Sequence, residues 1–416
     1  MNIFKFGGAS VKDAKGVKNV ANVLQKTGYD NILIVISAMG KMTNAFEKIT
    51  NAYFNKRDEL STLIDQVKVY HYDIITDLLK DKKQHLVNEV EILFAELDSF
   101  IMHNKSADYN YVYDQIVPIA ELISTKIVSL YLNDVGIVNS WIDVREYVKT
   151  NNDYRDAKVD WELTEQNIKM KILPKKLYIT QGFLAGEIEG DNSTLGREGS
   201  DYSAGIFAYC LNAESLTIWK DVEGVLNADP RYFKETQLLQ QMSYTEAIEL
   251  AFYGASVIHP KTLQPLQKRE IPLYVKSFVN PENGGTTVSR GVHLIPETPC
   301  FIVKKDQILL SISSIDFSFI VERNISEIFE LLHQYKMKVN LIQNSAISFS
   351  VCMDDKYNNF DELLSKLRSK FEINFDKEVS LYTIRHFDES AILKIENNNK
   401  VLLKQLTKET VQIVIQ

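Results

Sequence analysis

The chain contains 416 residues, of which 45% are hydrophobic and 25% are charged, a composition typical of globular proteins with at least two hydrophobic cores. Acidic residues number 55 and basic residues 47, so the formal net charge is -8. This excess of negative charge argues against binding to nucleic acid or to an anionic membrane surface, and it requires that any anionic ligand be held by local charges.

The cysteines and the N-terminal sequence indicate the compartment. Cys210, Cys300 and Cys352 stand far apart and form no CxxC pair for zinc or dithiol chemistry. The first residues, MNIFKFGGAS, contain no apolar signal-peptide core, and no run approaches the roughly 18 apolar residues that span a bilayer. We therefore expect a protein of the reducing cytoplasm that is neither secreted nor inserted in a membrane.

Short apolar runs bounded by glycine or serine predict buried strands in the first part of the chain. They lie at Ile3 to Phe6, Ile32 to Ile36, Leu177 to Thr180 and Leu216 to Trp219. Helical patterns separate these runs, and this alternation predicts an α/β domain with a mainly parallel sheet covered on both faces.

Apolar residues recur every three or four positions from Leu63 to Leu78 and again from Leu86 to Ile101, as amphipathic helices require. We interpret the stretch at about 46–133 as a helical insertion in the α/β domain. A capping-box sequence from Ser243 to Glu246 predicts a further helix over most of 243–253.

Glycine and proline crowd the stretch from Pro281 to Pro299, the clearest linker signal in the chain. It divides the chain into a first domain of residues 1–292 and a second region of residues 300–416. The second region begins with a βαββα pattern, predicted at 308–315, 325–332, 339–342, 347–353 and 360–367. Strand-like runs at 379–384, 391–395 and 411–415 suggest a second, shorter copy of a similar unit.

The first predicted strand contains Lys5 and is followed directly by Gly7 and Gly8. Without Cβ atoms, such glycines let backbone N–H groups approach phosphate oxygens closely. Taken alone, the pair also fits an ordinary strand-to-helix turn with a surface lysine. It is neither a GxxxxGK[ST] phosphate loop nor a GxGxxG dinucleotide fingerprint, since neither pattern occurs in the chain.

Two further loops strengthen the phosphate-binding hypothesis. Residues 37–43 leave the next predicted strand, and residues 195–201 open a helical pattern that runs from Tyr202 to Tyr209. Parallel strands bring such loops together at the carboxyl edge of a sheet, where ligands bind in open α/β folds. The N-terminus of a helix also favours an anion. The convergence of three loops predicts a site for a phosphorylated ligand.

Segments along nearly the whole chain resemble one known family, the aspartate kinases of the amino-acid kinase superfamily. The matching segments are KFGGAS (5–10), SAMGKMTN (37–44), QGFLAG (181–186), TLGREGSDYSA (194–204), IWKDVEGVLNADPR (218–231), FYGASVIHPKTLQPL (252–266) and GGTTV (284–288). The resemblance implies a three-layer α/β sandwich, the amino-acid kinase fold, followed by tandem α+β ferredoxin-like ACT modules.

The resemblance also assigns roles to individual residues. As catalytic residues it implies Lys5, which would stabilise the transferring phosphoryl group, and Asp201, which would orient Lys5. Contacts with aspartate are implied for Thr43, Glu121, Arg197 and Ser200. Contacts with the nucleotide are implied for Lys5, Phe6, Gly7, Gly8, Ser37, Lys220, Asp221, Arg231 and Ser256. No metal ligand is assigned to the protein itself.

From the residues alone, less specific interpretations of these side chains stay open. Glu121 lies on a helical pattern and also fits a solvated helix carboxylate. Arg197 and Asp201 also fit a local salt bridge. Asp221 precedes a glycine-containing turn and also fits turn chemistry.

The chain departs from the family pattern near the nucleotide segment. Leu226 replaces an aromatic residue, and Ser256 stands where a lysine that contacts phosphate is common. Lys220 stands where threonine is frequent, and we expect it to supply the missing positive charge.

The activity that the resemblance implies is transfer of the γ-phosphoryl group of ATP, with Mg²⁺, to the side-chain carboxylate of L-aspartate. The product is β-aspartyl phosphate, and the step is the first of the pathway to lysine, threonine and methionine. A carboxylate with a pKa of about 3.9 is already ionised at neutral pH, so we nominate no general base.

Two alternatives to this activity stay open. One is a kinase for acetylglutamate, glutamate or UMP, against which the GREGSD segment and the ACT-like region argue. The other is an amino-acid sensor with a decayed kinase domain, which the substitutions at Leu226 and Ser256 favour. We expect a monofunctional enzyme without a fused homoserine dehydrogenase, since no dinucleotide fingerprint follows the linker. The resemblance further implies a homodimer or higher homo-oligomer. Lysine or threonine is the candidate effector, although Asn340 stands where an acidic residue often meets an effector's amine.

Overall fold

The computed structural model describes residues 1–79, 84–196, 198–255, 258–316, 318–397 and 399–416. These residues form two compact units, each built from more than one segment of chain. The N-terminal unit contains residues 1–225, 238–248 and 257–294. The C-terminal unit contains residues 226–237, 249–256 and 295–416.

The strands, in chain order, are β1 (Asn2–Phe6), β2 (Ile32–Ile36), β3 (Ser140–Trp141), β4 (Lys149–Thr150), β5 (Leu177–Gln181), β6 (Leu184–Glu187), β7 (Asn192–Thr194), β8 (Ser215–Lys220), β9 (Val225–Leu226), β10 (Leu238–Leu239), β11 (Gln241–Ser243), β12 (Leu273–Ser277), β13 (Thr286–Ser289), β14 (Cys300–Ser314), β15 (Lys338–Asn344), β16 (Ser348–Asp354), β17 (Phe371–Arg385), β18 (Val401–Leu406) and β19 (Thr410–Ile415).

The α-helices are α1 (Ala14–Thr27), α2 (Met42–Phe54), α3 (Leu60–Leu79), α4 (Gln84–His103), α5 (Tyr109–Ile116), α6 (Ile119–Asp134), α7 (Trp161–Lys171), α8 (Gly199–Leu211), α9 (Tyr244–Tyr253), α10 (Pro260–Arg269), α11 (Glu322–Gln334), α12 (Phe360–Leu367) and α13 (Glu389–Glu396). Short 3-10 helices cover Gly8–Val11 and Val144–Glu146.

The main sheet of the N-terminal unit has the strand order β11-β13-β12-β8-β1-β2-β5-β3. All of its neighbouring strands are parallel except β12 and β13, which are antiparallel. The predicted α/β class with a mainly parallel sheet is therefore confirmed. Each of the four strands predicted from apolar runs is present, with ends that differ by at most one residue.

The register of the central strands determines where the site lies. Lys5 of β1 is opposite Val35 of β2 on one side and Ile218 of β8 on the other. Four of the five residues of β1 are buried, and the ring of Phe6 stacks on the indole of Trp219 with 6.1 Å between centroids. Lys5 is thus a charged residue in the middle of an apolar layer, which requires a partner charge.

The helical insertion consists of α2 to α6. The apolar spacing that predicts α3 and α4 corresponds to their buried faces, which include Val67 and Ile74 on α3 and Val90 and Leu97 on α4. Within the described residues, the stretch Tyr109–Asp134 has the length and mean hydropathy (1.3) of a membrane span, but 89% of its apolar window is buried inside the protein. Such burial characterises the core helix of a globular domain.

The C-terminal unit is built on an antiparallel sheet with the strand order β15-β16-β14-β17-β19-β18. The long strands β14 and β17 pair along most of their length and join a βαββα segment to a shorter βαββ segment. This arrangement agrees with the predicted ACT-like pair of repeats.

One prediction in the second repeat is wrong. The run from Ala391 to Ile395, interpreted as a strand, lies in the helix α13. The Asp388 carboxylate caps this helix by accepting a hydrogen bond from the Ala391 backbone N–H at 2.7 Å, and Ala391 and Ile395 face the core one turn apart. A short apolar run cannot by itself distinguish a strand from a helix.

All three cysteines are buried. Burial raises the pKa of the Cys210 and Cys352 thiols to about 12 in each case. Neither thiol is therefore ionised at neutral pH.

Candidate active site

Lys5 and Asp201 form a buried ion pair at the centre of the candidate site. The Lys5 Nζ atom lies 2.6 Å from Oδ1 of Asp201, and the two side chains are 10% and 6% exposed. The central strand β1 positions Lys5, and the first turn of α8 positions Asp201. The sheet and the helix therefore hold the ammonium group in one place.

The first turn of α8, which contains Asp201, is not capped by the side chain of its N-cap residue. Glu198, at the N-cap, has a left-handed backbone with φ of 55° and makes no capping hydrogen bond. Burial acts to raise the pKa of Asp201, but the positive charges of Lys5, Lys220 and His259 outweigh it and keep the pKa below its ordinary value. Asp201 is thus a carboxylate at neutral pH.

The two glycine loops that follow β1 and β2 touch each other through their backbones. A Cβ atom on Gly8 would lie 2.7 Å from the carbonyl oxygen of Ala38 and 2.8 Å from that of Gly40. The Gly40 N–H donates a hydrogen bond to the Gly8 carbonyl at 3.0 Å. A Cβ atom on Gly7 would lie 3.4 Å from Lys5 Nζ. A bulkier side chain at Gly8 would therefore separate the loops, and a Cβ atom at Gly7 would contact the ammonium group.

Helix α6 reaches the same loops through two side chains. The Ser124 hydroxyl donates a hydrogen bond to the Ser37 carbonyl at 2.7 Å. Glu121 is 2% exposed, and its carboxylate accepts a hydrogen bond from the Ala38 N–H. Burial raises the pKa of Glu121 to about 8, although the nearby Lys5 charge and the Ala38 hydrogen bond act to lower it. The Glu121 Oε2 atom has no hydrogen-bond partner among the described residues.

Of the other three residues predicted to contact aspartate, the structure describes Ser200 and Thr43. Ser200 packs against Gly182, where an added Cβ atom would lie only 2.5 Å from the Ser200 Cβ. Thr43 lies half-buried in the first turn of α2. Arg197 lies outside the described residues, so its predicted role stays a prediction.

Lys220 brings a second positive charge to the site. It ends β8, beside β1 in the sheet, and is half-buried. Burial is the largest cause that lowers the pKa of Lys220; the nearby Lys5 charge acts in the same sense, and Asp201 opposes both. The positive charges of Lys5 and Lys220 thus both act on the Asp201 carboxylate.

The structure does not test the remaining nucleotide predictions. Asp221 is exposed directly after β8. Arg231 belongs to the C-terminal unit, where its guanidinium group pairs with the Asp229 carboxylate at 2.5 Å. Ser256 lies outside the described residues. The contacts predicted for these residues stay predictions.

Two residues that sequence reasoning did not single out contribute to the site. His259 caps α10, with its Nδ1 atom accepting a hydrogen bond from the Lys261 N–H at 3.2 Å, and it contributes to the positive field on Asp201. The histidine before Pro260 was a possible helix-start signal, since proline favours the first helical position. Tyr70 of α3 donates its hydroxyl to the Lys12 carbonyl, beside Gly40. No sequence pattern pointed to Tyr70.

The glycine loops, the two lysines and the uncapped start of α8 fit the phosphate groups of a nucleotide. The loop backbones approach one another where Cβ atoms would block them, and Lys5 and Lys220 outnumber the one firmly ionised carboxylate, Asp201. The arrangement can neutralise phosphate charge and orient a second anion beside it.

Comparison with known proteins agrees with this geometry. The family model described as "Amino acid kinase family" matches residues 1–277. The lysine-sensitive aspartokinase 3 of Escherichia coli K12 is 29% identical over 362 residues, which cover 85% of this chain and 78% of that protein. A bifunctional aspartokinase/homoserine dehydrogenase 2 of Arabidopsis thaliana is 28% identical over 89% of this chain, but the match covers only 42% of that longer protein.

The fold is also that of a solved structure. The crystal structure of E. coli aspartokinase III in complex with aspartate and ADP superposes with a TM-score of 0.81 at 24% identity, covering 100% of this chain and 96% of that chain. At this identity the likeness establishes the fold. Because the family model covers more than half of the chain, including β1, α6 and α8, which carry Lys5, Glu121 and Asp201, the chain belongs to the amino acid kinase family.

Proposed function

We propose that the chain is an aspartate kinase, a phosphotransferase that moves the γ-phosphoryl group of ATP to the side-chain carboxylate of L-aspartate and gives β-aspartyl phosphate and ADP. This would be the first step of the pathway to lysine, threonine and methionine. The observation that carries the proposal is the buried Lys5–Asp201 pair, at 2.6 Å, beside the buried carboxyl group of Glu121. Similarity to aspartokinases of several organisms supports it.

The chemistry of the reaction explains why a fixed lysine is needed. An anionic carboxylate must approach a polyanionic triphosphate, so the principal barrier is electrostatic repulsion. Lys5 is held by Asp201 and does not have to reorganise when negative charge develops on the transferring group. The backbone N–H groups of the glycine loops, together with Lys220, add positive potential at the same edge of the sheet.

The specificity for an amino acid is assigned to Glu121 and the residues of its neighbourhood. A buried carboxyl group with one oxygen unpartnered by the described residues is suited to receive an ammonium group, which would favour its ionised form. We place Thr43, Arg197 and Ser200 around the rest of the amino acid, as the family resemblance implies. Arg197 would pair with a carboxylate in bidentate fashion.

ATP is proposed to bind with Mg²⁺ at the glycine loops, with contacts from Lys5, Phe6, Gly7, Gly8, Ser37, Lys220, Asp221, Arg231 and Ser256. The magnesium ion, when bound, neutralises phosphate charge. Over the described ranges, no group of three or more His, Cys, Asp or Glu side chains is placed to hold a metal ion. This is compatible with Mg²⁺, which is often bound through substrate phosphates and one or two carboxylates.

A coupled ADP-release assay with L-aspartate, acetylglutamate, glutamate and UMP tests the proposal. We expect turnover with L-aspartate and formation of a hydroxylamine-sensitive acyl phosphate. Turnover of another acceptor in preference to aspartate would identify a different kinase of the family. Amino-acid binding without turnover of any acceptor would instead favour the sensor.

We also propose that the two parts of the chain have different functions. Residues 1–292, with the helical insertion at about 46–133, would carry catalysis, and residues 300–416 would form a regulatory pair of ACT-like modules that binds lysine or threonine. A homodimer or higher homo-oligomer in the cytoplasm is part of the same proposal. In the C-terminal unit the Asn340 side-chain oxygen already accepts a hydrogen bond from Lys304 Nζ at 2.7 Å. An effector amine at Asn340 would have to displace this contact.

Titration of lysine and of threonine into the assay tests the regulatory assignment. We expect one of them to lower the turnover of aspartate. Indifference to both would leave subunit association as the role of the C-terminal modules, which sedimentation of the same preparation measures directly.

A further inference from the structure

Asp114 of α5 is a fully buried carboxylate that lies outside the residues assigned above. It is 0% exposed. Its Oδ2 atom accepts hydrogen bonds from the backbone N–H of Arg155 at 3.0 Å and from that of Thr194 at 2.8 Å. Its Oδ1 atom accepts a third from the Thr194 hydroxyl at 2.8 Å. One carboxylate therefore joins two chain segments that are distant in sequence.

These two segments meet at Gly196. Its backbone has φ of +77°, a left-handed conformation that favours glycine, and an added Cβ atom would lie 2.7 Å from Asp156 Oδ1 and 3.2 Å from the Arg155 carbonyl oxygen. The Ala157 N–H donates to the Thr194 carbonyl at 2.9 Å in the same region. Gly196 is thus packed directly on the segment that Asp114 fixes at Arg155.

The segment that follows leads to the candidate active site. The Leu195 N–H donates to the Phe183 carbonyl at 2.9 Å, and the Gly199 N–H donates to the Gly196 carbonyl at 3.1 Å. Ser200 and Asp201 come next, and Asp201 holds Lys5. Only six residues separate Thr194 from Asp201, so the anchor at Thr194 lies close along the chain to the start of α8.

We propose that Asp114 is a positioning residue for binding of the amino-acid substrate: by fixing Arg155 and Thr194 it holds the backbone of residues 194–196, from which the chain leads to Ser200 and Asp201. The inference rests on the proposed function and deepens it. Asp114 touches neither substrate nor Lys5 in this assignment and acts only through the loop.

The electrostatics of Asp114 agree with such a role. Burial raises its pKa to about 6, even though the hydrogen bonds from Arg155 and Thr194 and the charge of Arg155 act to lower it. A buried carboxylate in this condition opposes folding in its charged form. The hydrogen bonds that Asp114 accepts from Arg155 and Thr194, rather than a gain in the free energy of unfolding, therefore explain why a carboxylate occupies this position.

Steady-state kinetics of Asp114→Ala and Asp114→Asn, with each substrate varied in turn, tests the inference. Asp114→Ala should raise the KM for L-aspartate about tenfold or more and leave the KM for ATP within about twofold, because loop displacement misplaces the amino-acid contacts. Asp114→Asn should restore the KM for L-aspartate to within about threefold of the wild-type value. The amide oxygen can accept both backbone hydrogen bonds, and its NH₂ group can donate to the Thr194 hydroxyl.

Two further variants distinguish a local effect on the backbone near Gly196 from a general failure to fold. Gly196→Ala leaves Asp114 intact but puts a Cβ atom on a backbone with φ of +77° and close to the Arg155 carbonyl, so it should show the same rise in the KM for L-aspartate, even if Asp114→Ala fails to fold. Asp108→Ala removes the carboxylate that caps α5, which accepts from the Asn110 N–H at 2.8 Å, and it should leave both KM values unchanged. Equal rises for the two substrates, or an unchanged KM for L-aspartate in Asp114→Ala and Gly196→Ala, would overturn the inference.

Amide hydrogen exchange distinguishes failure of this inference from failure of the proposed function. Peptides covering 193–203 should exchange faster in Asp114→Ala than in the wild type or Asp114→Asn, whatever the enzyme phosphorylates. If the wild type turns over none of the acceptors, the proposed function fails and the exchange alone decides the inference. Exchange that is unchanged in Asp114→Ala would refute the anchoring role.

Discussion

Lys5 Nζ lies 2.6 Å from Asp201 Oδ1, so the charge that would face the transferring phosphoryl group is fixed by a carboxylate on another element of the fold. Both side chains are almost fully buried. Lys220 adds a second ammonium group to the environment of the same carboxylate.

The first prediction concerns the ion pair itself. Lys5→Met should lower kcat at least about 100-fold, because it removes a preorganised positive charge from the transition state. Lys15→Met, at an exposed position of α1, is the matched control and should behave as the wild type. ADP release at saturating substrates measures both. A Lys5→Met enzyme with kcat within about threefold of the wild type would exclude Lys5 from the chemical step.

The thermal stability of variants at Lys5 and Asp201 gives a second test of their interaction. Asp201→Asn should lower the thermal midpoint because it leaves Lys5 and Lys220 without their shared carboxylate. The double variant Lys5→Met/Asp201→Asn should be more stable than Asp201→Asn alone, since one of the buried charges is gone. Additive losses would mean that the two residues do not interact in solution.

The second prediction is a pH dependence at Glu121. Its pKa rises from 4.5 to about 8 on folding. The folded protein therefore binds this proton more tightly than the unfolded chain, so the stability that Glu121 contributes is present at low pH and is lost as the pH rises through this window. Glu121→Gln should raise the thermal midpoint relative to the wild type at pH about 8.5 and have little effect near pH 4.5.

Glu121→Gln should at the same time raise the KM for L-aspartate about tenfold or more, because an amide cannot pair with the ammonium group as a carboxylate does. In the wild type this KM should fall as the pH rises towards 8, and the variant should lose that dependence. A stabilised variant with an unchanged KM would place the ammonium group elsewhere.

The third prediction tests the contact between the insertion and the glycine loops. Tyr70→Phe removes the hydroxyl that donates to the Lys12 carbonyl beside Gly40. Loss of one hydrogen bond, about 1 kcal/mol, should raise the KM for ATP about fivefold. Tyr72→Phe is the control, because that hydroxyl donates to Glu91 within the insertion. Equal effects of the two substitutions would show that only the packing of the insertion matters.

The fourth prediction concerns Lys220. Lys220→Ala should raise the KM for ATP about tenfold or more, while the KM for L-aspartate stays nearly unchanged, because the lost charge belongs to the phosphate side of the site. Kinetics with each substrate varied in turn measure both values. Equal rises in the two KM values would contradict the proposed compensation for Ser256.

The sequence predicts much of the fold, because buried parallel strands leave apolar runs that end in glycine loops. It also brings Lys5, the glycine loops and Asp201 to one edge of the sheet. Contacts that depend on tertiary packing leave no such pattern. The approach of Gly182 to Ser200 and the anchoring of residues 194–196 by Asp114 join segments far apart in the chain.

The wrong prediction of a strand where α13 lies has a different cause. Ala391 to Ile395 is too short for helical and strand periodicity to differ, and only the Asp388 cap distinguishes them. The raised pKa of Glu121 could not be predicted from the sequence either, since a helix carboxylate is usually solvated. The burial of Glu121 follows from the packing of α6 against the loops.

The burial of all three native cysteines makes the chain a convenient host for spectroscopic probes. A maleimide reagent near neutral pH needs an accessible thiolate, and none of the native thiols is placed to supply one. A single cysteine introduced at exposed Ser106, in the helical insertion, would therefore be labelled selectively without removal of any native residue. A fluorophore there would report whether the insertion moves during turnover in the otherwise unmodified protein.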